Sequence, residues 1–144
     1  MKIAFITCML TIIGLIPIAQ EFIPAQVIGN NQQLKYFIDQ ELMYPDKEML
    51  SGTEGKVKLN YLVDEKGQIQ YVSFREKLTP DCDHETLRIF KMLEWEPATL
   101  RGIPARDSGL FEIDFNIRKY KRLCKQRGYI LHLYPFEPTD TSGR

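Results

Sequence analysis

The sequence predicts an α+β domain: a three-stranded antiparallel sheet with two helices packed on one face. Three observations carry this expectation. The stretch "EGKVKLNYLVDEKGQIQYVSF", residues 54–74, alternates around a Gly turn as a hairpin does. The stretch "FEIDFNIR", residues 111–118, alternates apolar and polar residues without a break. Two further stretches, "QQLKYFIDQEL" and "TPDCDHETLRIFKMLEW", repeat their apolar residues at helical spacing.

In chain order, residues 2–19, "KIAFITCMLTIIGLIPIA", place Lys2 ahead of an apolar segment that closes on Pro17 and Ala19. This is the layout of a secretory signal with cleavage after Ala19. The segment is also at the short edge of what spans a bilayer, so a retained anchor is the alternative. Residues 20–31 read as a short link, with Asn30 or Asn31 as a helix cap. Leu34, Phe37, Ile38 and Leu42 give the first helix its apolar stripe, and Pro45 stops it. Residues 45–55 read as loop.

In the hairpin, Val57, Leu59, Tyr61 and Val63 point one way, and Lys56, Lys58, Asn60 and Asp64 mostly the other. The return strand has Ile69 and Tyr71 on one side and Val72 and Phe74 on the other, which predicts a central position for it. The second helix takes Asp83 as its expected N-cap, with a stripe of Leu87, Phe90 and Leu93. A buried Trp95 rimmed by Glu94 and Glu96 follows. Residues 97–109 read as loop, and the strand 111–118 closes the domain as an edge. Residues 119–144 read as a basic, then polar tail.

The chain of 144 residues is long enough for one domain, and its 19 basic residues cancel its 19 acidic ones. A balanced charge supplies no field toward nucleic acid. The run Arg118, Lys119, Lys121, Arg122, Lys125 and Arg127 reads as a solvated flank, or as a contact with an anionic surface. Cys82 and His84 lack the spacing of a zinc site, and Cys124 and His132 do not supply it. There is no GxSxG elbow and no phosphate-binding Gly loop. The expectation is a chain without catalytic residues, metal or cofactor. Once the signal is removed, Cys82 and Cys124 are compatible with one disulfide; the rival is a free Cys82 packed as a small apolar residue.

The ordered set Tyr44-Pro45, Gly55-Lys56-Val57, Leu87-Arg88, Trp95-Glu96-Pro97 and the alternating Phe111–Ile117 resembles the C-terminal domain of TonB proteins over roughly residues 32–118. The resemblance implies a periplasmic partner-binding module. Such domains pair with an extended segment of outer-membrane receptors by β-augmentation, in which a peptide adds to a sheet edge through main-chain hydrogen bonds. It places the partner contact on Phe111, Glu112, Ile113, Asp114, Phe115, Asn116 and Ile117, together with Leu42, Met43, Tyr44 and Pro45. The partner is then a receptor segment, or a second copy of the chain; a membrane enters only if the N-terminal segment is retained. Two departures stand out. TonB proteins carry a long Pro-rich spacer, whereas residues 20–31 reach roughly 40 Å at full extension. Family members also place a Gln shortly before Tyr-Pro, where Leu42 and Met43 stand here.

Overall fold

A computed structural model describes residues 21–128. The export-signal segment, and the part of the expected tail from residue 129 that includes His132, lie outside the described residues.

The stretch expected as a link holds two short strands, β1 (Phe22–Ile23) and β2 (Gln26–Val27). Helix α1 (Asn31–Glu41) follows under a reciprocal cap: Asn30 Oδ1 accepts from the Gln33 N–H, and Gln33 Oε1 accepts from the Asn30 N–H. The expected loop after Pro45 contains a further helix, α2 (Asp46–Ser51). Pro45 stops α1 and also starts α2, because its fixed φ suits a helix entrance. Asp46 and Glu48 in the first turn favour the positive helix end.

Strands β3 (Gly55–Val63) and β4 (Ile69–Glu76) form the hairpin. Helix α3 (Pro80–Lys91) is capped by Thr79, which accepts from the Cys82 N–H. Asp83 is therefore not the cap; Pro80 takes the first helical position, and Asp83 turns back to accept from the Leu78 N–H at 3.0 Å. The expected loop 97–109 is largely paired. Strands β5 (Trp95–Glu96), β6 (Ala98–Leu100) and β7 (Ile103–Ala105) make two small ribbons, β2–β5 and β1–β6–β7. Strand β8 (Asp107–Phe115) starts four residues earlier than the alternation 111–118 suggests and ends at Phe115. Asn116 leaves the sheet to cap α4 (Ile117–Arg127), accepting from the Lys119 N–H at 2.8 Å. Residues 117–127 are thus a docked helix, not a tail: Leu123 and Cys124 are buried, and Lys119 pairs with Asp39 of α1 at 3.0 Å.

The main sheet runs β4–β3–β8, all antiparallel. The expected order is corrected here: β3 is the central strand, and β4 is an edge. The reason lies in burial. Val57, Leu59 and Val63 of β3 are fully buried, whereas Val72 and Phe74 are only partly covered and Tyr71 is exposed. Apolar residues on both faces of β4 reflect partial cover, not a central place.

One face of the sheet carries the core. Val57, Leu59, Phe111, Ile113 and Phe115 pack against Ile89 and Phe90 of α3 and against Tyr44. Tyr44 meets Phe115 edge-on, with centroids 5.4 Å apart. At the other end Tyr61, Phe90 and Trp95 form a tilted cluster, so the expected burial of Trp95 holds.

The expected bridge between Cys82 and Cys124 is absent: both thiols are free and buried. Cys82 lies beside Tyr44 and Cys124 beside Tyr120, and these two rings contact each other at 5.4 Å. Burial pushes the Cys82 thiol upward, away from the reactive thiolate. Unreduced protein is expected to show Cys82 and Cys124 as reactive thiols after unfolding in denaturant, and to react slowly at both while folded. Thiol counting with a chromogenic disulfide reagent checks this.

Two glycines separate strain from collision. Gly67 and Gly102 have nearly equal positive φ, 77° and 76°. A Cβ at Gly102 meets open space, whereas one at Gly67 would collide with the Trp95 carbonyl oxygen. Gly102→Ala is expected to lower stability by about 1 kcal/mol through backbone strain alone. Gly67→Ala is expected to lower it by roughly 1–3 kcal/mol more. Urea denaturation of the two variants measures the difference.

Candidate functional site

The partner residues expected from sequence fall mostly on β8, and what β8 offers depends on its hydrogen-bond parity. Antiparallel strands direct alternate residues toward and away from a neighbour. The Asp64 N–H bonds the Gln68 carbonyl on the β4 side, so Val63 and the odd residues of β3 face β8. Register then assigns Asp107, Gly109, Phe111, Ile113 and Phe115 to the ladder with β3. The even residues Ser108, Leu110, Glu112 and Asp114 turn their N–H and C=O groups outward. The Ser108 N–H agrees: it bonds the Asp107 carboxylate, not β3. By this parity, the N–H groups of Leu110, Glu112 and Asp114 are not used in the ladder with β3.

The two edges of the sheet are unequal. The β3–β8 register is continuous over nine pairs. The β3–β4 register breaks at Lys58/Leu59 and again at Leu62/Val63. Bulges and charge blunt an edge against further pairing, and β4 carries both, with Arg75 and Glu76 at its end. Strand β8 is the flat edge.

A groove runs along β8. Leu34, Ile38 and Leu42 line one side, Glu112, Ile113 and Asp114 the other, around about 360 Å³. Lys35 and Lys119 also line it. On the open face of the sheet, Lys56 bonds Glu112 at 2.6 Å and Lys58 bonds Glu76 at 2.6 Å. The hydrogen bond from Lys58 holds the Glu76 carboxyl below its usual range. These pairs are exposed and add little to stability.

The second expected group, Leu42–Pro45, is divided by burial. Leu42 and Tyr44 are core residues, whereas Met43 is exposed and Pro45 half-buried. The Tyr44 hydroxyl donates to the Thr53 carbonyl, and burial pushes its pKa up to about 12. A set of residues that sequence reading did not join holds this segment in place. Glu85 is buried, and its Oε1 accepts from the Met43 N–H at 2.7 Å. Arg88 bonds Glu85 through Nε at 2.7 Å and donates through Nη2 to the Glu41 carbonyl at 2.7 Å. Arg127 of α4 donates to the Leu42 carbonyl at 3.2 Å. The two arginines satisfy carbonyls that the end of α1 leaves unpaired. The visible signal was the Glu85/Arg88 spacing of three on α3, which reads equally well as a surface pair. Asn116 and Ile117 leave the β8 edge for α4, so they do not share its ladder.

His84 is exposed while Cys82 points into the core. Among the described residues, no three His, Cys, Asp or Glu side chains gather as a metal-binding set. Among the described residues, the arrangement offers an unpaired strand edge beside an apolar groove, which is a means of binding an extended chain.

The family profile described as "Gram-negative bacterial TonB protein C-terminal" matches residues 40–117, just over half of the chain. The chain belongs to the TonB C-terminal family. It is similar to two NMR solution structures of the Helicobacter pylori TonB C-terminal domain. One is 15% identical with a TM-score of 0.44, covering 62% of this chain and 98% of that one. The other is 14% identical with a TM-score of 0.42, covering 59% and 79%. A search of curated proteins returns no match.

Arg88→Met is expected to destabilise the domain by about 2 kcal/mol, because it leaves the buried Glu85 carboxylate without its charged donor. The double variant Arg88→Met/Glu85→Gln is expected to recover part of that loss, and a double-mutant cycle by chemical denaturation reads the coupling.

Proposed function

We propose that this chain is a non-catalytic, periplasmic protein-binding module that takes an extended segment of an outer-membrane TonB-dependent receptor as a strand beside β8. The observation that carries the reading is the flat outer edge of β8, whose parity turns the N–H groups of Leu110, Glu112 and Asp114 away from β3, with Glu112 and Asp114 beside the groove. Membership of the TonB C-terminal family supports a protein partner. The groove supports an extended guest: a strand laid along β8 turns alternate side chains toward Leu34, Ile38 and Leu42. The apolar segment 2–19 supports export to the periplasmic side, as signal or as anchor.

The same edge can receive another copy of the chain, and size measurements across concentration distinguish that outcome. The test of the pairing uses proline, which deletes one donor. Asp114→Pro and Leu110→Pro each remove an outward N–H from an edge strand. Both are expected to abolish binding of synthetic peptides from receptor N-terminal segments, with circular dichroism and thermal midpoint near the parent's. Ile113→Pro removes an inward N–H from the β3 ladder and is expected to unfold the sheet. Normal peptide binding by folded Asp114→Pro and Leu110→Pro rules the mechanism out.

A further inference from the structure

Where the described chain begins, at residue 21, it enters the ribbon β1–β6–β7 at once. Phe22 pairs with Leu100, and Leu100 pairs with Ile103. Directly opposed residues share a face, so three large apolar side chains form one row across the ribbon. They are 50%, 36% and 69% exposed. The ribbon's turn is Arg101-Gly102, both at positive φ, 54° and 76°. Arg101 is the one non-glycine at positive φ among the described residues, and its N–H bonds the Glu21 carbonyl at 2.9 Å. The turn thus sets an exposed guanidinium between two apolar residues, with the entering chain tied to it.

We propose that this face of the ribbon rests on the bilayer surface at the root of segment 2–19. Phe22, Leu100 and Ile103 enter the boundary between headgroups and acyl chains, and Arg101 contacts anionic lipid phosphates. Two observations select a lipid surface as the occupant. The apolar segment ends at Ala19, and three residues to Phe22 reach roughly 10 Å at full extension. That distance is comparable to a headgroup layer of about 5–8 Å. The chemistry agrees: an apolar row with a cation at its tip is what an anionic interface takes up. Segment 2–19 then stays attached as the anchor, and the face is independent of the peptide edge on β8.

The test reconstitutes the full-length chain, through its apolar segment, into vesicles of phosphatidylcholine and phosphatidylglycerol with brominated acyl chains. Ile103→Trp places an indole in the row; Tyr71→Trp places one on exposed β4 as a control. The indole at 103 is expected to lose roughly half its emission relative to unbrominated vesicles, as a side chain at the acyl boundary does. The Tyr71→Trp chain is expected to show no quenching beyond that of the parent. Leu100→Trp gives the same reading if Ile103→Trp fails to fold. Equal quenching of the row and the control in folded protein overturns the proposal. So does an indole at 103 shielded from water but untouched by bromolipid, which indicates a protein partner there. Recovery from cells of only a chain beginning at Gln20, free of membranes, overturns it as well.

Discussion

The structure depends on β3 sharing its hydrogen bonds between two neighbours. Its odd residues serve β8 and its even residues serve β4, while its odd side chains supply the centre of the core. A strand used in this way cannot slip by one residue without exposing Val57, Leu59 and Val63. Everything else is referred to it. Helix α3 covers its apolar face, the hairpin turn is pressed against Trp95, and Tyr44 is held over Phe115 at its far end. With the central strand fixed, β8 has one possible parity, and the outward groups of that edge follow.

The helices guard the edge without closing it. Helix α1 stands along β8 and contributes Leu34, Ile38 and Leu42 to the groove. Its position is set from its C-terminal end, where Arg88 and Arg127 take up the Glu41 and Leu42 carbonyls. Helix α4 adds the Lys119–Asp39 pair. The Tyr-Pro segment is therefore structural in part: Tyr44 belongs to the core, and Met43 is the residue it leaves at the surface.

Much of this was legible in the sequence because the main elements have clean periods. Residues 56–63 and 111–115 alternate, and 34–42 and 82–93 follow a helical repeat. What was not legible depended on partners far away in the chain. Val72 and Phe74 suggested a central strand, yet β3 is the strand paired on both sides, and β4 lies half-covered at the edge. The strands of the ribbons β1–β6–β7 and β2–β5 are two or three residues long, too short for a period to register, and β1 and β2 find their partners about seventy to eighty residues away. Helix α4 has a strongly basic sequence, and its few apolar residues, Leu123 and Cys124 buried and Ile117 and Tyr120 half-buried, are what face inward. Asp83 and Thr79 both fit a helix cap, and Pro80 decides between them. On the candidate edge, the alternation gave the residues of β8 but not which main-chain donors point outward, because that parity is set by the neighbour.

The small size of the N-terminal ribbons has a mechanical consequence. A load applied between the residues before Phe22 and a strand on β8 is not shared evenly. Along β8 it acts parallel to a nine-pair ladder, so many hydrogen bonds resist together. At the other end it meets β1 and β2, each held by two residue pairs. Segments with so few bonds open locally at little free energy. They peel away before the sheet is disturbed, releasing residues 21–30 as extended chain, a slack of roughly 30 Å. The domain thus carries, in its weakest pairing, an extensible leash that yields while the β8 edge stays whole.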